Sequence, residues 1–325
     1  MHRRHRFGCA LVGLALAGFA LSPAQGQLGE QTIRIIFPFA AGGSGDALSR
    51  LIADKMQAAL KRNVIVESRT GGAGRIGVLA VKNAAPDGTT LLITPIAPMS
   101  VYQHSYKSLD YDPINDFAAV SQVATFDFGI AVHPQLGVSS LKELVAWCKA
   151  NPAKANFGIP AAGSLPHFLG IMFGRAAGID LKQVAYRGSA AALRDLIAGH
   201  IPMMVTTTSD LVQSHKAGKI RMLATSDKQR SPFVPDVPTF REAGYDLQAT
   251  SWYGMFAPAK TPRETIDRYS RVVAEAVRAP DVGAKLRAFG LTPTGTTAAE
   301  LARIQKDDAA LWGPAVKASG FTAQP

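Results

Sequence analysis

The stretch Pro38-Phe39-Ala40-Ala41-Gly42-Gly43-Ser44-Gly45-Asp46 is the one best suited to chemistry, and that chemistry is capture of an anion rather than catalysis. Consecutive glycines let a backbone approach a bound molecule closely, and the free N–H groups at a helix start favour negative charge. Ser44 or Asp46 would cap that helix. The plainer reading is a strand-to-helix turn that holds nothing. Pro160-Ala161-Ala162-Gly163-Ser164-Leu165-Pro166-His167 repeats the device: glycine, a small hydroxyl residue and a helix start. His167 would either touch a ligand or cap and pack against its own helix. Tyr186-Arg187-Gly188-Ser189 and Thr206-Thr207-Thr208 end two further strands, so Arg187 is placed either to fork onto a carboxylate or to lie exposed.

A rival signal is Gly72-Ala73-Gly74-Arg75-Ile76-Gly77, which fits a dinucleotide fingerprint between a strand and a helix. That fingerprint also needs an acid about 20 positions on to hold a ribose hydroxyl. Here the next strand ends in Thr94-Pro95-Ile96-Ala97, without one. The seven histidines are dispersed, and there is no Gly-x-Ser-x-Gly elbow, no His-Glu-x-x-His, no metal-spaced cysteine set and no phosphate-loop Gly-Lys-Ser/Thr. The expectation is a binding protein with no catalytic residue, metal or cofactor, although a triad assembled in space would escape such a search.

These loops need rigid elements behind them. Ile33 to Phe37 reads as a buried strand, and Leu48, Leu51, Ile52, Met56 and Leu60 follow at helical spacing. Val64 to Glu67 and Leu91 to Thr94 read as strands, with a helix at Ile76 to Ala84 between them and a turn at Pro86-Asp87-Gly88. The β-α-β-α-β order implies a doubly wound parallel sheet. A second series starts near Phe128: apolar Gly129 to Val132, a helix Leu141 to Ala150 capped by Ser139 or Ser140, and a strand at Asn156 to Ile159. A helix through Phe173 and Ala177, a strand Val184 to Tyr186 and a helix Ala190 to Ala198 follow. Met203 to Val205 and Ile220 to Thr225 are expected to complete a second parallel sheet. Thr250 to Phe256 reads as an aromatic-rich strand, and the tail as two amphipathic helices around Val272 and Leu301. The economical layout has two α/β lobes, residues 27–126 with 250–325 and residues 127–249. Ligands of such sheets gather beyond the carboxyl ends of the strands, so two facing edges make a cleft.

The chain has 325 residues, more than one ordinary core organises, which agrees with two lobes. Arg3, Arg4 and Arg6 precede an uncharged run from Phe7 to Leu21, and Ser22 to Gly26 supplies small residues. This is the layout of a signal peptide over residues 1–26, cut after Ala24 or Gly26; the alternative is an uncleaved anchor, for which a run of roughly 15 residues is short. Export with Cys9 removed would leave Cys148 alone, a small buried hydrophobe with no disulfide. The formal net charge is +11, three units of it in the leader. Lys and Arg are scattered singly without interleaved aromatics, which argues against nucleic acid.

Taken together, the landmarks resemble the substrate-binding receptors of tripartite tricarboxylate transporters, the Bug-type proteins of the periplasm. They include Pro38-Phe39 with Gly42-Gly43 and Asp46, Gly71 to Gly77, Ala85-Pro86-Asp87-Gly88, Tyr111-Asp112-Pro113, Gly163-Ser164 with His167, Tyr186 to Ser189, Pro235 to Thr239 and Ser251-Trp252-Tyr253-Gly254. The resemblance implies a type II-like periplasmic binding fold whose two doubly wound α/β lobes close on a small carboxylate. It implies ligand contacts at Phe39, Ala40, Gly42, Gly43, Ser44 and Asp46 on one edge and at Ala162, Gly163, Ser164 and His167 on the other. Ala97, Arg187, Gly188 and Thr206 support them. The implied partner is a membrane permease of one large and one small subunit, served by a monomeric receptor; a signalling partner is the alternative. Thr206 stands where many relatives have Asp, which points to a ligand without an amine. Arg75 and Ser68 also depart from the usual Asn.

Overall fold

The computed structural model describes residues 31–323, so the expected leader, its cleavage site and Cys9 lie outside the described residues. Among those described, no helix is long and apolar enough to cross a membrane.

The chain opens with β1 (Ile33–Phe37), α1 (Ser44–Leu60), β2 (Val64–Ser68), α2 (Arg75–Lys82) and β3 (Thr90–Pro95). β1 is a short apolar run buried at four of five positions, as expected of a strand covered on both faces. Along α1 the buried Leu48, Leu51, Ile52, Met56 and Leu60 form one stripe. β1 pairs in parallel with β2 and β3. Beyond β3 a single π turn, Ala97–Val101, leads into α3 (Tyr102–Ser105). No spacing in the sequence announces that turn.

β4 (Phe117–Val132) is a 16-residue strand that joins two sheets. Its first part lies antiparallel to β9 (Thr250–Pro258) as far as Asp127, and from Phe128 it pairs with the strands of the second sheet. Only its end at Gly129 to Val132 was legible as a strand. Bulges at Ala119/Ser121 and Gln122/Ala124 break the alternation of the first half.

The second series runs α4 (Leu141–Ala150), β5 (Asn156–Ile159), α5 (Leu165–Ala177), β6 (Lys182–Ala185), α6 (Ser189–Ile197), β7 (Met203–Thr207), α7 (Thr208–Lys216) and β8 (Arg221–Thr225). Ser140 is the cap of α4, accepting from Glu143 N, while Ser139 binds the Glu143 carboxylate. β5 is parallel to β6 and β7, but β4 lies antiparallel between β7 and β8. The second sheet is therefore mixed rather than parallel throughout. The first is mixed too, because β9 enters antiparallel between β3 and β4.

The tail holds α8 (Arg263–Arg278), α9 (Pro280–Ala288), β10 (Thr292–Pro293) and α10 (Ala298–Ser319), three helices where two were expected. Pro280 reads as a break, but it occupies the first turn of α9, where a missing N–H costs nothing. α10 starts with a capping box between Thr297 and Glu300. Cys148 is buried in α4, and burial pushes its thiol up to about 11, which suits a packing role.

The result is a mixed α/β fold of two lobes on a curled sheet, with β4 running from the first sheet into the second.

Candidate functional site

The carboxyl ends of strands from both sheets border one cleft. The first sheet contributes Phe37, the loop through Phe39, Ala40 and Gly43, and Pro95 to Ala97 after β3. The second contributes Pro160, Ala161 and Ser164 to Pro166 around the start of α5, Gly188 and Ser189 before α6, and Thr206, Thr207 and Asp210 from β7 into α7. Phe126 and Phe128 of β4, with Ser251 and Tyr253 of β9, form the floor. The space is about 580 Å³, mouth included.

Of the residues expected here, Phe39, Ala40, Gly43, Ala97, Ser164, Gly188 and Thr206 line the cleft. The other seven do not line it; they build the adjoining loops or lie beside the cleft. Gly42 N donates to Asp46 Oδ2 at 3.1 Å, and Asp46 also pairs with Arg50 along α1, so its charge is spent inside its own loop. Ser44 turns its Oγ to Ser209 Oγ, 2.9 Å away across the cleft. The Ala162 and Gly163 carbonyls accept from Tyr106 and Ser105, and Gly163 N donates to His167 Nδ1 at 3.1 Å.

His167 takes its packed alternative. Its ring is 1% exposed and meets Phe321 edge-on at 4.4 Å, and burial pushes its pKa down to about 4. Nδ1 accepts a hydrogen bond, so the neutral ring carries its proton on Nε2. Arg187 does not fork into the cleft. Its carbonyl accepts from Ala40 N at 3.0 Å, tying the two edges together, and its side chain faces a neighbouring depression with Thr70 to Gly74. Among the described residues no acid lines that depression, so none there could hold a ribose for the glycine-rich turn.

Three features of the cleft were missed. Asp210 caps the start of α1 from the opposite lobe: Ser44 N donates to its Oδ1 at 2.7 Å, while Thr207 Oγ donates to its Oδ2 at 2.7 Å. The spacing Thr207-x-x-Asp210 at a helix start was the available signal, since such pairs bind each other's backbone or side chain. Position 206 itself carries no carboxylate, but Asp210 brings one to the same edge from the next turn. Ser251 and Tyr253 follow from strand alternation once β9 is placed, as both fall on one face. Finally, Thr206 and Ser251 line the cleft, and their buried hydroxyls find no partner among the described residues. A buried hydroxyl without a partner is costly, so this pair is a prepared donor set.

Behind the floor lies Asp127, a carboxyl whose equilibrium burial displaces strongly. It is 6% exposed, its Oδ2 lacks a partner among the described residues, and burial pushes its carboxyl up to about 7. The nearby Asp227 charge pushes the same way, and the Thr208 hydroxyl opposes them. An unfolded Asp ionises near pH 4, so between about pH 4 and 7 the folded chain holds the extra proton and stability falls as pH rises. His167 has the reverse sign: its folded pKa is depressed, so stability falls as pH drops from about 6.5 towards 4. Asp127 is isolated by difference. Between pH 5 and 7, wild type is expected to lose several degrees of melting temperature relative to Asp127→Asn. Parallel melting curves for the two proteins would remove Asp127 from this role.

Comparison with known proteins gives one consistent answer. The profile described as tripartite tricarboxylate transporter family receptor matches residues 48–321. Protein BugT of Bordetella pertussis is 31% identical over 315 residues, covering 96% of this chain and 97% of its own. The solved periplasmic binding protein BugD is 28% identical with a TM-score of 0.86, covering 91% of this chain and 99% of that one. R. palustris Rpa4515, solved with adipate, is also 28% identical with a TM-score of 0.86, covering 90% and 98%.

Proposed function

Because the chain belongs to the tripartite tricarboxylate transporter receptor family, we propose that it works in the periplasm, after loss of residues 1–26, as a receptor that captures a small organic carboxylate. The ligand lies between a lobe of residues 27–126 with 250–325 and a lobe of residues 127–249. The closed receptor hands it to a two-subunit membrane permease. The observation that carries this reading is the pair of unpartnered buried hydroxyls on Thr206 and Ser251, two residues that line a cleft edged by loops from both lobes. Such donors suit an acceptor that arrives from outside, and a carboxylate offers two acceptor oxygens. Adipate in Rpa4515 supports the same ligand chemistry.

Closure follows from contacts that exist only when the edges meet, since a ligand with equal affinity for both states shifts nothing. Ser44 N to Asp210 and Ala40 N to Arg187 O are contacts of that kind. They lower the free energy of the closed form, and the ligand supplies the rest.

The test is a thermal-shift panel of mono-, di- and tricarboxylates, amino acids and NAD on the purified protein. At a concentration near 100 times its dissociation constant, the right carboxylate should add about 2.7 kcal/mol of stability. A response to NAD with none to any carboxylate would overturn the proposal.

A further inference from the structure

The charges of the cleft decide more than the presence of a carboxylate. Among the described residues, Asp210 is the one charged side chain that lines the space, and no Lys, Arg or His does so. Asp210 is also fixed: Oδ1 accepts from Ser44 N and Oδ2 from Thr207 Oγ, both at 2.7 Å. The leading N–H of α1, the natural seat for a ligand anion on that lobe, is thus filled by the protein's own carboxylate. Much of the remaining wall is apolar, from Phe37, Phe39, Phe126, Phe128, Ile96 and Leu165, and its other polar groups are uncharged hydroxyls and backbone.

We propose that this receptor selects monocarboxylates with a flat apolar body, such as aromatic acids, and rejects dicarboxylates. The proposal rests on the receptor reading above and narrows its ligand. The single carboxylate accepts from the Thr206 and Ser251 hydroxyls, and the body lies against the phenylalanines. A second carboxylate finds no cation to pair with, meets the Asp210 charge in a poorly solvated space and loses its hydration. Selectivity of this kind comes from the repulsive element as much as from the attractive one.

Isothermal titration of the purified protein with benzoate, phenylacetate, adipate and malate tests this. One of the monocarboxylates should bind at least tenfold tighter than either dicarboxylate. In Asp210→Asn, which keeps the shape and removes the charge, the adipate-to-phenylacetate affinity ratio should rise at least tenfold. Thr206→Val with Ser251→Ala should weaken the best monocarboxylate at least tenfold without altering the preference for one charge over two. Adipate or malate binding wild type as tightly as the monocarboxylates would overturn the proposal and leave the receptor reading standing. A ratio unmoved in a folded Asp210→Asn would overturn it as well. Failure of every acid to bind would overturn the receptor reading, and this proposal with it.

Discussion

Gly43→Val is expected to weaken ligand binding more than about 100-fold, equivalent to about 2.7 kcal/mol, while the ligand-free protein melts within a few degrees of wild type. A Cβ at Gly43 would lie 3.1 Å from Ser189 Oγ and 3.3 Å from Asp210 Oδ1, both on the opposite edge. The valine methyls reach farther, so they hold the edges apart and disturb the carboxylate that caps α1. Nothing in the local backbone resists the change, since Gly43 has φ −91° and ψ 174°, ordinary extended geometry. The lobes therefore fold, and closure is what suffers. Gly163 is a poorer probe. Its φ is +74° and its Cβ would meet Ser105 Oγ at 3.0 Å, so a substitution there strains the loop as well as the site. Titration calorimetry with a responding carboxylate, alongside circular dichroism melts, separates the two effects. Unchanged affinity in Gly43→Val would place the site elsewhere.

The second large effect concerns the fold. Gly77→Val is expected to cost about 3 kcal/mol, the upper range for overpacking, and to lower the melting temperature by roughly 6 °C or more. A Cβ there would sit 2.8 Å from the Arg69 carbonyl and 2.9 Å from Pro38 Cα. Both obstacles are backbone, so neither can rotate away, and α2 must lift off the loop that carries Phe39 and Ala40. Ile76→Ser, one residue away and at a side chain 55% exposed, should change stability by less than about 0.5 kcal/mol. Equal melting temperatures for wild type and Gly77→Val would show that the helix has room the packing denies. The last glycine of the fingerprint-like run thus serves close helix packing here. That also explains how the run can match a nucleotide pattern without an acid to complete it.

The elements most legible in the sequence are those whose burial is uniform along one face. β1, α1, α4 and β5 follow directly from apolar runs or stripes, because their partners lie on both sides and period alone determines the outcome. Legibility fails where geometry departs from a single period. The bulges of β4, the π turn at Ala97 and the proline start of α9 each insert a local exception that neighbouring elements stabilise. The cleft divides in the same way. The glycine loops were visible because backbone approach demands a residue type. Asp210 was hidden because its role depends on a helix start some 166 positions away in sequence, a juxtaposition only the fold creates. His167 shows the converse: a titratable side chain at a promising loop, claimed instead by Phe321 and the Gly163 amide.

The insertion of β9 between β3 and β4 has a consequence for how the chain comes into being. A polypeptide that emerges from its amino end delivers β1, β2, β3 and the first half of β4 long before Thr250–Pro258 exists. Through that interval the margins of β3 and β4 that β9 will fill have no neighbour, whereas every strand of the second sheet is present by Thr225. Long-range pairing of this sort folds slowly and leaves strand edges open to other chains. Nascent molecules are thus most exposed to aggregation at that unfilled slot, and the last central strand to arrive closes it.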